Sequence, residues 1–343
     1  MLVRTSRLFP RGGEMELRHD FGEAPETPVT AGHVRVKIES CSFNFRDLLV
    51  RSGKSASGGS DPVIPLSDGA GEIVSVGECV ATGLVGKRVC LTFFEDWFDG
   101  PFDMRYHQAA RGGSIDGVLS RFVEVPAESI VPFPDHLSFD EAACLPCAYL
   151  TAWQALFERG SQAETILCLG TGGVSIAALQ LAKARGATVI MTSSSDVKLE
   201  RAEELGADYL INYQKDEDWQ KTVFEITEKR GVDQVIEVGG PGTLEKSLAA
   251  LAPGGTLSMI GVLTGFDPPE TSLFPVVAKA LNVHGIYVGS RAMFGRMNEF
   301  IAEHQIQPVV DKTFAHSDTD AAYEDLKEAT HFGKVVISLD ESV

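Results

Sequence analysis

Residues 166–202, ILCLGTGGVSIAALQLAKARGATVIMTSSSDVKLERA, decide the fold of this chain. They read as an apolar strand, a glycine-rich turn, an amphipathic helix and a second apolar strand. Gly170, Gly172 and Gly173 stand between the first strand and the helix, the context in which a glycine turn can approach the pyrophosphate of a dinucleotide. The usual third glycine is replaced by Ser175, which is small enough for close packing of helix on strand. The stretch therefore predicts a dinucleotide-binding unit.

Strands and helices keep alternating after this stretch. The apolar runs ADYLINY, VDQVIEVGG, GTLSMIG and NVHGIYVG are separated by helical segments, an order that predicts a parallel sheet with right-handed crossovers. The first 135 residues are rich in strand-like segments instead, and the closing segment GKVVISL is expected to return to them. We predict an α/β fold with a β-rich domain of residues 1–137 and 284–343 and a dinucleotide-binding domain of residues 138–283. The polar Gly/Ser-rich stretch 51–62 predicts a mobile loop.

The composition is typical of a globular protein. The 343 residues carry a net charge of −18, which disfavours binding to nucleic acid, and no apolar run is long enough to span a bilayer. The N-terminus lacks the apolar segment of a secretory signal, so the six cysteines are expected to be reduced thiols in the cytoplasm. The pair in CLPC (144–147) is half a zinc site at most. We interpret it as buried structural thiols.

The end of the second strand carries information on the cofactor. Units that bind NAD usually place an Asp or Glu here, roughly 20 residues after the glycine turn, to bind the ribose hydroxyls. This chain has a Thr-Ser-Ser-Ser run followed by Lys198, and hydroxyls with a cation suit a phosphate. Asp196 is interpreted as the cap of the next helix. Ser193, Ser194 and Lys198 are therefore predicted to bind a 2′-phosphate, with NADP(H) as the cofactor. The alternative is a polar loop without that role.

Six stretches give the chain an end-to-end resemblance to the medium-chain dehydrogenase/reductase superfamily. They are SFNFRDLLVRSGK (42–54), PLSDGAGEIVSVG (65–77), GGSIDGVLSRFVEVP (112–126), LPCAYLTAW (145–153), GTGGVSIAALQLAKARGA (170–187) and HFGKVVISL (331–339). The resemblance implies a GroES-like β-rich catalytic domain and a Rossmann domain with a doubly wound parallel sheet. Within the superfamily, the chain is similar to the zinc-free branch of quinone oxidoreductases and their relatives, which are often labelled alcohol dehydrogenase-like.

The zinc ligands of the metal-dependent members are not matched. Where those members carry Cys-His-x-Asp, this chain has Asn44-Phe45-Arg46-Asp47, and where they carry Gly-His-Glu it has Leu66-Ser67-Asp68. The first two ligand positions are thus Asn44 and Ser67, which are poor zinc ligands, and the third is kept only as Cys147. Residues 91–120 contain no cysteine, so the four-cysteine structural lobe is also missing. We predict that no metal is bound.

The resemblance also implies a set of cofactor contacts. The glycine turn contributes Gly170, Thr171, Gly172, Gly173 and Val174. Thr151 and Asn44 are expected at the nicotinamide end, and Tyr213 beside the 2′-phosphate or the adenine. Two strand ends at the carboxyl edge of the sheet contribute Gly239 and Gly240, and Gly261, Val262 and Leu263. A late stretch that closes over the cofactor contributes Tyr287, Gly289, Ser290 and Arg291, together with Lys334.

Without zinc, hydrogen-bond donors must stabilise the negative charge that develops on a substrate carbonyl during hydride transfer. Candidate catalytic donors are Asn44, Arg46 and Tyr149. Arg46 stands where the zinc enzymes of the superfamily place a proton-relay hydroxyl, and the alternative is an ion pair with Asp47 or Asp68. Tyr149 is either an acid or an ordinary helix-face tyrosine. Bound water is a third source of the proton.

Together these features predict a zinc-independent, NADPH-dependent oxidoreductase that reduces a quinone or an α,β-unsaturated carbonyl. Hydride addition to a conjugated carbon gives a delocalised enolate, which needs less help from a Lewis acid. The aromatic stretch FFEDWFDGPFDMRYH (93–107) either shapes a site for such a flat substrate or packs against its own domain. The alternative functions are a zinc-type alcohol dehydrogenase or ketone reductase, and a non-catalytic, crystallin-like protein that binds NADPH. A small-molecule substrate and a homodimer or homotetramer are expected, with no nucleic-acid or membrane partner.

Overall fold

The computed structural model describes residues 2–11, 14–23, 27–54, 62–160, 163–268 and 271–339. The strands in these residues are β1 (Leu2–Arg11), β2 (Glu14–Glu23), β3 (His33–Ser42), β4 (Asp68–Val76), β5 (Arg88–Leu91), β6 (Phe122–Pro126), β7 (Ile130–Pro132), β8 (Thr165–Cys168), β9 (Thr188–Ser193), β10 (Tyr209–Asn212), β11 (Val232–Glu237), β12 (Leu251–Met259), β13 (Asn282–Gly285), β14 (Val310–Ala315) and β15 (Lys334–Ser338). Of the predicted loop at 51–62, residues 55–61 lie outside the described residues.

Helices connect most of these strands. The α-helices are α1 (Phe45–Arg51), α2 (Phe139–Ala143), α3 (Leu150–Trp153), α4 (Gly173–Ala184), α5 (Asp196–Glu204), α6 (Trp219–Ile226), α7 (Leu244–Ala250), α8 (Phe274–Ala278), α9 (Arg291–His304) and α10 (Thr319–Glu328). Two π-helical turns flank α3 (Leu145–Tyr149 and Gln154–Glu158), and short 3-10 turns occur at Thr82–Leu84, Met104–Ala109, Ala127–Ser129 and His316–Asp318. The chain divides into two compact units: Met1–Leu150 with Gly289–Val343, and Thr151–Val288.

The second unit is built on a parallel sheet. Its strand order is β10-β9-β8-β11-β12-β13, and each of these pairings is parallel in the described residues. The strands are apolar on both faces, as in β9, where Val189, Ile190 and Met191 are fully buried, and such runs are typical of a sheet covered by helices on both sides. The strand order reverses between β8 and β11, the position at which doubly wound sheets bind nucleotides. The Rossmann prediction is confirmed.

The glycine turn adopts the predicted strand–turn–helix arrangement. Gly170 has a φ of 72°, a conformation that favours glycine, and Gly172 is the N-cap of α4. Ser175 is buried, and its hydroxyl donates a 2.6 Å hydrogen bond to the carbonyl of Leu169. A small residue at this position therefore ties the helix to the strand before it, as the sequence pattern predicts.

The first unit contains an antiparallel-rich sheet and a separate hairpin. The sheet has the order β14-β15-β3-β4-β5-β7, with β6 also paired to β3, and β1 pairs with β2. Its core is formed by alternating residues of β3, among them Val34, Val36 and Ile38, which are fully buried. The closing strand β15 pairs antiparallel with β3, with Val336 opposite Ser42. The return of the chain end to the first unit therefore agrees with the sequence prediction.

The boundary between the units lies later than the predicted residue 137. Ser138 caps α2 in the predicted capping box with Glu141, and α2 packs on β3, β4 and β15 of the first unit. The hydroxyl of Ser42 also donates to the carbonyl of Ala143 at 2.8 Å. These contacts keep the chain in the first unit up to Leu150. At the other end, residues 284–288 stay with the second unit because β13 extends its sheet.

No helix in the described segments is long and apolar enough to cross a membrane. The six cysteines are free thiols, and Cys144 of the CLPC pair is buried while Cys147 is half-buried. This placement agrees with their interpretation as structural thiols.

Candidate functional site

The glycine turn of the second unit leaves open space for a ligand. A Cβ atom built on Gly170 or Gly172 would meet no other atom within 4 Å, so backbone lies bare at the start of α4. The N–H of Gly170 donates to the hydroxyl of Thr192 at 3.2 Å, which links the turn to the end of β9. Thr171 is buried, and Gly173 and Val174 are half-buried in the first turn of α4. This cradle fits a pyrophosphate at a helix N-terminus.

The three serines at the end of β9 have different environments and hydrogen bonds. Ser193 is buried, and its hydroxyl accepts the N–H of Ser195 at 3.3 Å. Ser195, rather than Asp196, is the N-cap of α5, since its hydroxyl accepts the N–H of Lys198 at 3.4 Å. The interpretation of Asp196 as the cap is therefore wrong. Ser194 is exposed, which leaves its hydroxyl and the half-buried Lys198 side chain at this edge.

Asp196 is held by two residues that follow β10. Its two carboxylate oxygens accept from the amide of Asn212 at 2.7 Å and from the ammonium of Lys215 at 2.5 Å. The hydrogen bond from Lys215, with that from Asn212, lowers the pKa of Asp196 below its usual range. Sequence reasoning missed Lys215, because only the pairing of β10 with β9 brings the end of β10 beside the start of α5. The negative charge of Asp196 is thus compensated locally. Tyr213 is 37% exposed at the same edge.

The predicted contacts at the ends of β11 and β12 form two adjoining loops. The N–H of Leu263 donates to the carbonyl of Val238 at 3.3 Å, and a Cβ on Gly240 would lie 3.0 Å from the Cα of Val262. Gly239 and Gly261 belong to the same pair of loops, so the structure brings these predicted residues together. Thr151 of the second unit is buried, and Tyr287 is 39% exposed.

Three predicted cofactor contacts of the late stretch, Gly289, Ser290 and Arg291, pack within the first unit. Ser290 is buried and caps α9, since its hydroxyl accepts the N–H of Met293 at 3.2 Å. The guanidinium of Arg291 donates to the carbonyl of Ile130 at 3.2 Å. A Cβ on Gly289 would lie 2.7 Å from the side chain of Leu150. These contacts give all three residues a structural role, and their role toward the cofactor stays a prediction.

A buried polar cluster lies in the first unit where β15, β4 and the start of α1 meet. Lys334 is 3% exposed, and its ammonium donates to the carbonyl of Phe43 and, at 2.6 Å, to the side-chain oxygen of Asn44. The same ammonium lies 3.9 Å from the carboxylate of Asp68. Asp68 also accepts from the Ser67 hydroxyl at 2.7 Å. The predicted residues Asn44 and Lys334 are therefore brought together, with Lys334 directed at Asn44 and Asp68.

The cluster contains two buried carboxyl groups with raised pKa values. Burial raises the pKa of Asp68, and the charge of Lys334 is the largest effect that opposes it. Burial raises the pKa of Asp47 to about 6, although Arg46 and the backbone N–H of Asn44 act in the opposite direction. That N–H donates to Asp47 at 2.7 Å, so α1 begins with a capping box. Perturbed carboxyl groups of this kind are a feature of functional sites.

Arg46 forms the ion pair with Asp47 that the sequence offers as the alternative to a catalytic role. One guanidinium nitrogen donates to the carbonyl of Arg111 at 2.8 Å and lies 3.9 Å from the carboxylate of Asp47, too far for a hydrogen bond. The guanidinium lies over the ring of Phe93, 4.8 Å from its centre. Its Nη2 atom is buried without a hydrogen-bond partner in the described residues, and so is Oδ1 of Asp47. Buried polar atoms of this kind need a partner, which a bound water or a polar ligand can provide.

Tyr149 does not join this cluster. Its side chain is 1% exposed, and its hydroxyl accepts the N–H of Val309 at 3.3 Å. Burial raises the pKa of the phenol far above its usual range, which disfavours its ionisation. The role of a catalytic acid is therefore not supported for Tyr149, and the structural alternative describes it better. The sequence could not separate the two, because both place a tyrosine on a helix.

The aromatic stretch 93–107 packs largely on itself. Phe94, Trp97 and Tyr106 are buried, and Trp97 lies parallel to Tyr106 with ring centres 5.5 Å apart. Phe102 contacts the same group edge-on, 5.3 Å from Trp97. The second of the two interpretations, a loop that packs against its own domain, therefore accounts for most of these rings. Phe93 contributes to the cluster instead, as the platform under Arg46.

Comparisons with known proteins agree with this architecture. Residues 30–135 match the alcohol dehydrogenase GroES-like domain, and residues 173–303 match the zinc-binding dehydrogenase family. A zinc-type alcohol dehydrogenase-like protein of Schizosaccharomyces pombe is 42% identical over 333 residues, 95% of this chain and 96% of the relative. The chain belongs to the medium-chain dehydrogenase/reductase superfamily. It is an oxidoreductase of the alcohol dehydrogenase-like kind, as the sequence predicts.

More distant members of the superfamily cover the chain equally well. The quinone oxidoreductase of Mus musculus is 27% identical, with 98% of each chain covered. The crystal structure of an alcohol dehydrogenase, described as putative, from Sinorhizobium meliloti 1021 superposes with a TM-score of 0.91 at 36% identity, covering 98% of this chain and 99% of that one. Two further solved structures are described as an NAD-dependent alcohol dehydrogenase (28% identical, TM-score 0.85) and a mycobacterial protein complexed with NADPH (25% identical, TM-score 0.77). Relatives therefore use both forms of the cofactor.

Zinc is implied by some of these descriptions, and the polar cluster of this dehydrogenase/reductase does not fit it. The oxygen of Asn44 accepts from Lys334, and Asp68 also accepts the backbone N–H of Cys147 at 3.2 Å. Burial raises the pKa of the Cys147 thiol, which disfavours the thiolate that zinc binds. Across the described ranges, no three His, Cys, Asp or Glu residues are grouped so that they could hold a metal ion. The donor set therefore consists of a thiol, an amide and a carboxylate already neutralised by an ammonium.

The raised pKa of Asp47 predicts a pH dependence of stability. Its folded pKa of about 6 exceeds the usual 3.8, so the folded chain binds the proton more tightly and loses stability as the pH rises from about 4 to about 6. Asp47→Asn keeps an acceptor for the N–H of Asn44 and removes the buried charge. At pH 7.5 we expect the variant to melt about 3 °C above the wild type, on the order of 1 kcal/mol, because the loss of the Arg46 interaction offsets part of the gain.

Thermal melting from pH 5 to pH 8 checks this expectation. The difference between Asp47→Asn and the wild type should shrink towards pH 5, where the wild-type carboxyl is protonated. Asp96→Asn, which changes an exposed carboxylate of the same unit, serves as the control and should give a small difference. A difference for Asp47→Asn that does not change with pH would contradict the raised pKa.

Proposed function

We propose that this protein is a zinc-independent, NADP(H)-dependent oxidoreductase that transfers a hydride to a quinone or an α,β-unsaturated carbonyl. The observation that carries the proposal is the buried Lys334–Asn44–Asp68 cluster, in which the ammonium of Lys334 binds Asn44, the residue that stands at the first predicted zinc-ligand position. A site of this composition offers hydrogen bonds and fixed charge to a substrate. It does not offer a Lewis acid, and the oxidation of a simple alcohol is harder without one.

The substrate class follows from this limitation. When bound, the nicotinamide supplies the hydride. The protein must then stabilise the negative charge that develops on the carbonyl oxygen, and donors in a buried site do this most effectively. A conjugated carbonyl spreads the charge over an enolate, and a quinone spreads it over an aromatic ring, so both require less stabilisation than a simple alkoxide. The hydride adds to the conjugated carbon, and a proton from water completes the reduced product.

Arg46 is the donor best placed for this role. The Nη2 atom is buried and lacks a hydrogen-bond partner in the residues described, while stacking on Phe93 and the bond to Arg111 fix the plane of the guanidinium. A donor fixed in advance costs no reorganisation when charge develops. Asn44 is fixed in the same way by Lys334. We assign Arg46 to the substrate oxygen and Asn44 to the orientation of the reacting groups.

The preference for NADP(H) rests on the edge formed by β9, β10 and α5. Ser194 and Lys198 follow β9, the strand after which a dinucleotide unit usually binds the adenosine ribose, and this position supports their assignment to its 2′-substituent. Asp196, the nearest carboxylate, already binds Asn212 and Lys215, so it is not poised to accept the two ribose hydroxyls of NAD. Local cations with exposed hydroxyls favour a 2′-phosphate.

The alternatives receive less support from the same residues. A zinc-type alcohol dehydrogenase or ketone reductase would need metal ligands at the positions of Asn44 and Ser67. A non-catalytic protein that binds NADPH would not need a buried guanidinium nitrogen without a hydrogen-bond partner, such as Nη2 of Arg46 among the described residues. The homodimer or homotetramer stays a prediction that the mass in solution would test. The cytoplasmic location and the lack of a nucleic-acid partner also stay predictions.

A substrate panel tests the proposal directly. With NADPH oxidation followed by absorbance, enones and quinones should turn over, whereas primary and secondary alcohols with NADP⁺ should give rates at least about a hundredfold lower, because one missing Lewis acid is worth several kcal/mol. Arg46→Lys should lower kcat for the enones more than it raises KM, since the lost donor acts on developing charge. Faster turnover of alcohols than of enones would contradict the proposal.

A second set of variants tests the cofactor assignment. Ser194→Asp with Lys198→Ala places a negative charge where the 2′-phosphate is expected and removes a cation. We expect the ratio of kcat/KM for NADPH over NADH to fall by about a hundredfold, equivalent to about 3 kcal/mol. Lys221→Ala, which removes an exposed lysine on α6, is the matched control. A wild type that already prefers NADH would show that the 2′-phosphate assignment is wrong.

A further inference from the structure

Glu237 holds a fully buried carboxylate at the end of β11 in the second unit. One oxygen accepts the backbone N–H groups of Gly239 at 2.7 Å and Gly240 at 3.0 Å, together with the hydroxyl of Thr243 at 2.6 Å. The other oxygen accepts the hydroxyl of Ser247. Within the described part of the chain, none of its partners is a Lys, Arg or His. Glu237 is therefore a buried negative charge that is satisfied by neutral donors only.

The main chain of Glu237 anchors the neighbouring loop as well. Its carbonyl accepts the N–H groups of Ile260 at 2.9 Å and Gly261 at 3.2 Å, at the end of β12. Thr264 then joins the two loops, because its hydroxyl donates to the carbonyl of Gly239 at 2.9 Å and accepts the N–H of Gly242 at 2.8 Å. One residue thus holds both loops that carry the predicted cofactor contacts on this half of the sheet.

These loops have little room to adjust. A Cβ on Gly261 would lie 2.2 Å from the carbonyl oxygen of Val238, and one on Gly239 would lie 2.3 Å from the hydroxyl oxygen of Thr243. At Gly261 backbone packs directly on backbone, and at Gly239 backbone packs on the side chain of Thr243. The positions of the loop atoms are therefore fixed by the bonds that converge on Glu237.

The sheet topology places Glu237 on the nicotinamide half. Doubly wound sheets bind a dinucleotide across the switch point, which here lies between β8 and β11, and the residues predicted to bind its adenosine ribose follow β9. The other mononucleotide must then lie over β11, β12 and β13. Because a nicotinamide gains a positive charge when it gives up its hydride, a buried anion on this half interacts differently with the two redox forms.

We propose that Glu237 is a positioning residue that holds the two loops and whose buried charge favours the oxidised, cationic nicotinamide over the reduced one. This inference rests on the proposed function only in that it requires a nicotinamide cofactor. It assigns a direction to the effect of Glu237: the charge assists release of hydride from the reduced cofactor, since the product of that release is the cation that Glu237 stabilises.

The dissociation constants of NADP⁺ and NADPH for the whole protein test this assignment without catalysis. Glu237→Gln has the same shape, keeps one oxygen for the two amides, and can donate to the Ser247 hydroxyl, which can rotate to accept. We expect the variant to raise the Kd of NADP⁺ about fivefold more than that of NADPH, since only the oxidised ring loses a favourable charge interaction. Calorimetry for NADP⁺ and fluorescence titration for NADPH give the two values.

Two further variants separate charge from loop geometry. Thr264→Val removes the hydrogen bonds that join the two loops and leaves the partners of the Glu237 carboxylate in place. It should therefore weaken the binding of NADP⁺ and of NADPH by the same factor. Ser247→Ala removes one donor from the carboxylate and leaves its charge less compensated, so it should move the ratio about twofold in the opposite direction to Glu237→Gln. Ser247→Ala also provides a test if Glu237→Gln does not fold. The assignment would be overturned if Glu237→Gln weakened the binding of NADP⁺ and NADPH equally. It would also be overturned if Ser247→Ala left the ratio of their Kd values unchanged.

A failure of the role assigned to Glu237 can be distinguished from a failure of the proposed function. If the wild type prefers NAD(H), the 2′-phosphate assignment fails, but the ratio of Kd values for NAD⁺ and NADH still reports the effect of Glu237. If the wild type prefers NADP(H) and the ratio does not move, the proposed function stands and the role of Glu237 is rejected.

Discussion

The ammonium of Lys334 is the interaction on which the candidate catalytic region depends. It is buried between the carbonyl of Phe43, the side chain of Asn44 and the carboxylate of Asp68. Burying a charge is costly unless it is paired and hydrogen-bonded, and here both conditions are met by residues before α1 and in β4. The pairing of β15 with β3 is what delivers Lys334 to this place. The last strand of the chain therefore completes a cluster that begins at the first helix.

In the second unit, the two halves of the sheet carry carboxylates with different kinds of partner. Its sheet reverses strand order between β8 and β11, and each half offers its own set of groups. On one half, Asp196 is compensated by Lys215 and Asn212, so a second anion can be tolerated nearby. On the other half, the donors that bind the carboxylate of Glu237 in the described part of the chain are all neutral. Such an arrangement suits a ligand that carries phosphate at one end and a ring of variable charge at the other.

Much of this organisation could be predicted from the sequence, because the relevant signals are local. Apolar runs separated by helical segments indicated the parallel sheet, and the glycine turn before an amphipathic helix indicated the dinucleotide unit. The capping box of Ser138 with Glu141 is likewise formed by residues three apart. Asn44 and Lys334 were identified as site residues because each lies in a stretch that resembles the superfamily.

The rest depends on contacts between distant parts of the chain. Ser195 and Asp196 are both good capping residues, and only the approach of Lys215 shows why Asp196 has another role. The sequence allows Tyr149 to act as an acid, whereas the fold encloses it in the core, where its hydroxyl accepts the N–H of Val309. Glu237 gave a weak signal, an acidic residue at the end of an apolar strand before two glycines. Its four donors come from the turn and the helix that follow, and a strand pattern does not predict their convergence.

Metal content measured together with activity tests the central claim most directly. Purified protein would be analysed for zinc by mass spectrometry, and NADPH-dependent reduction of an enone would be followed before and after dialysis against a strong chelator. The account predicts zinc far below one atom per chain and an unchanged rate after dialysis. One zinc atom per chain, with activity lost on chelation and restored by zinc, would contradict it.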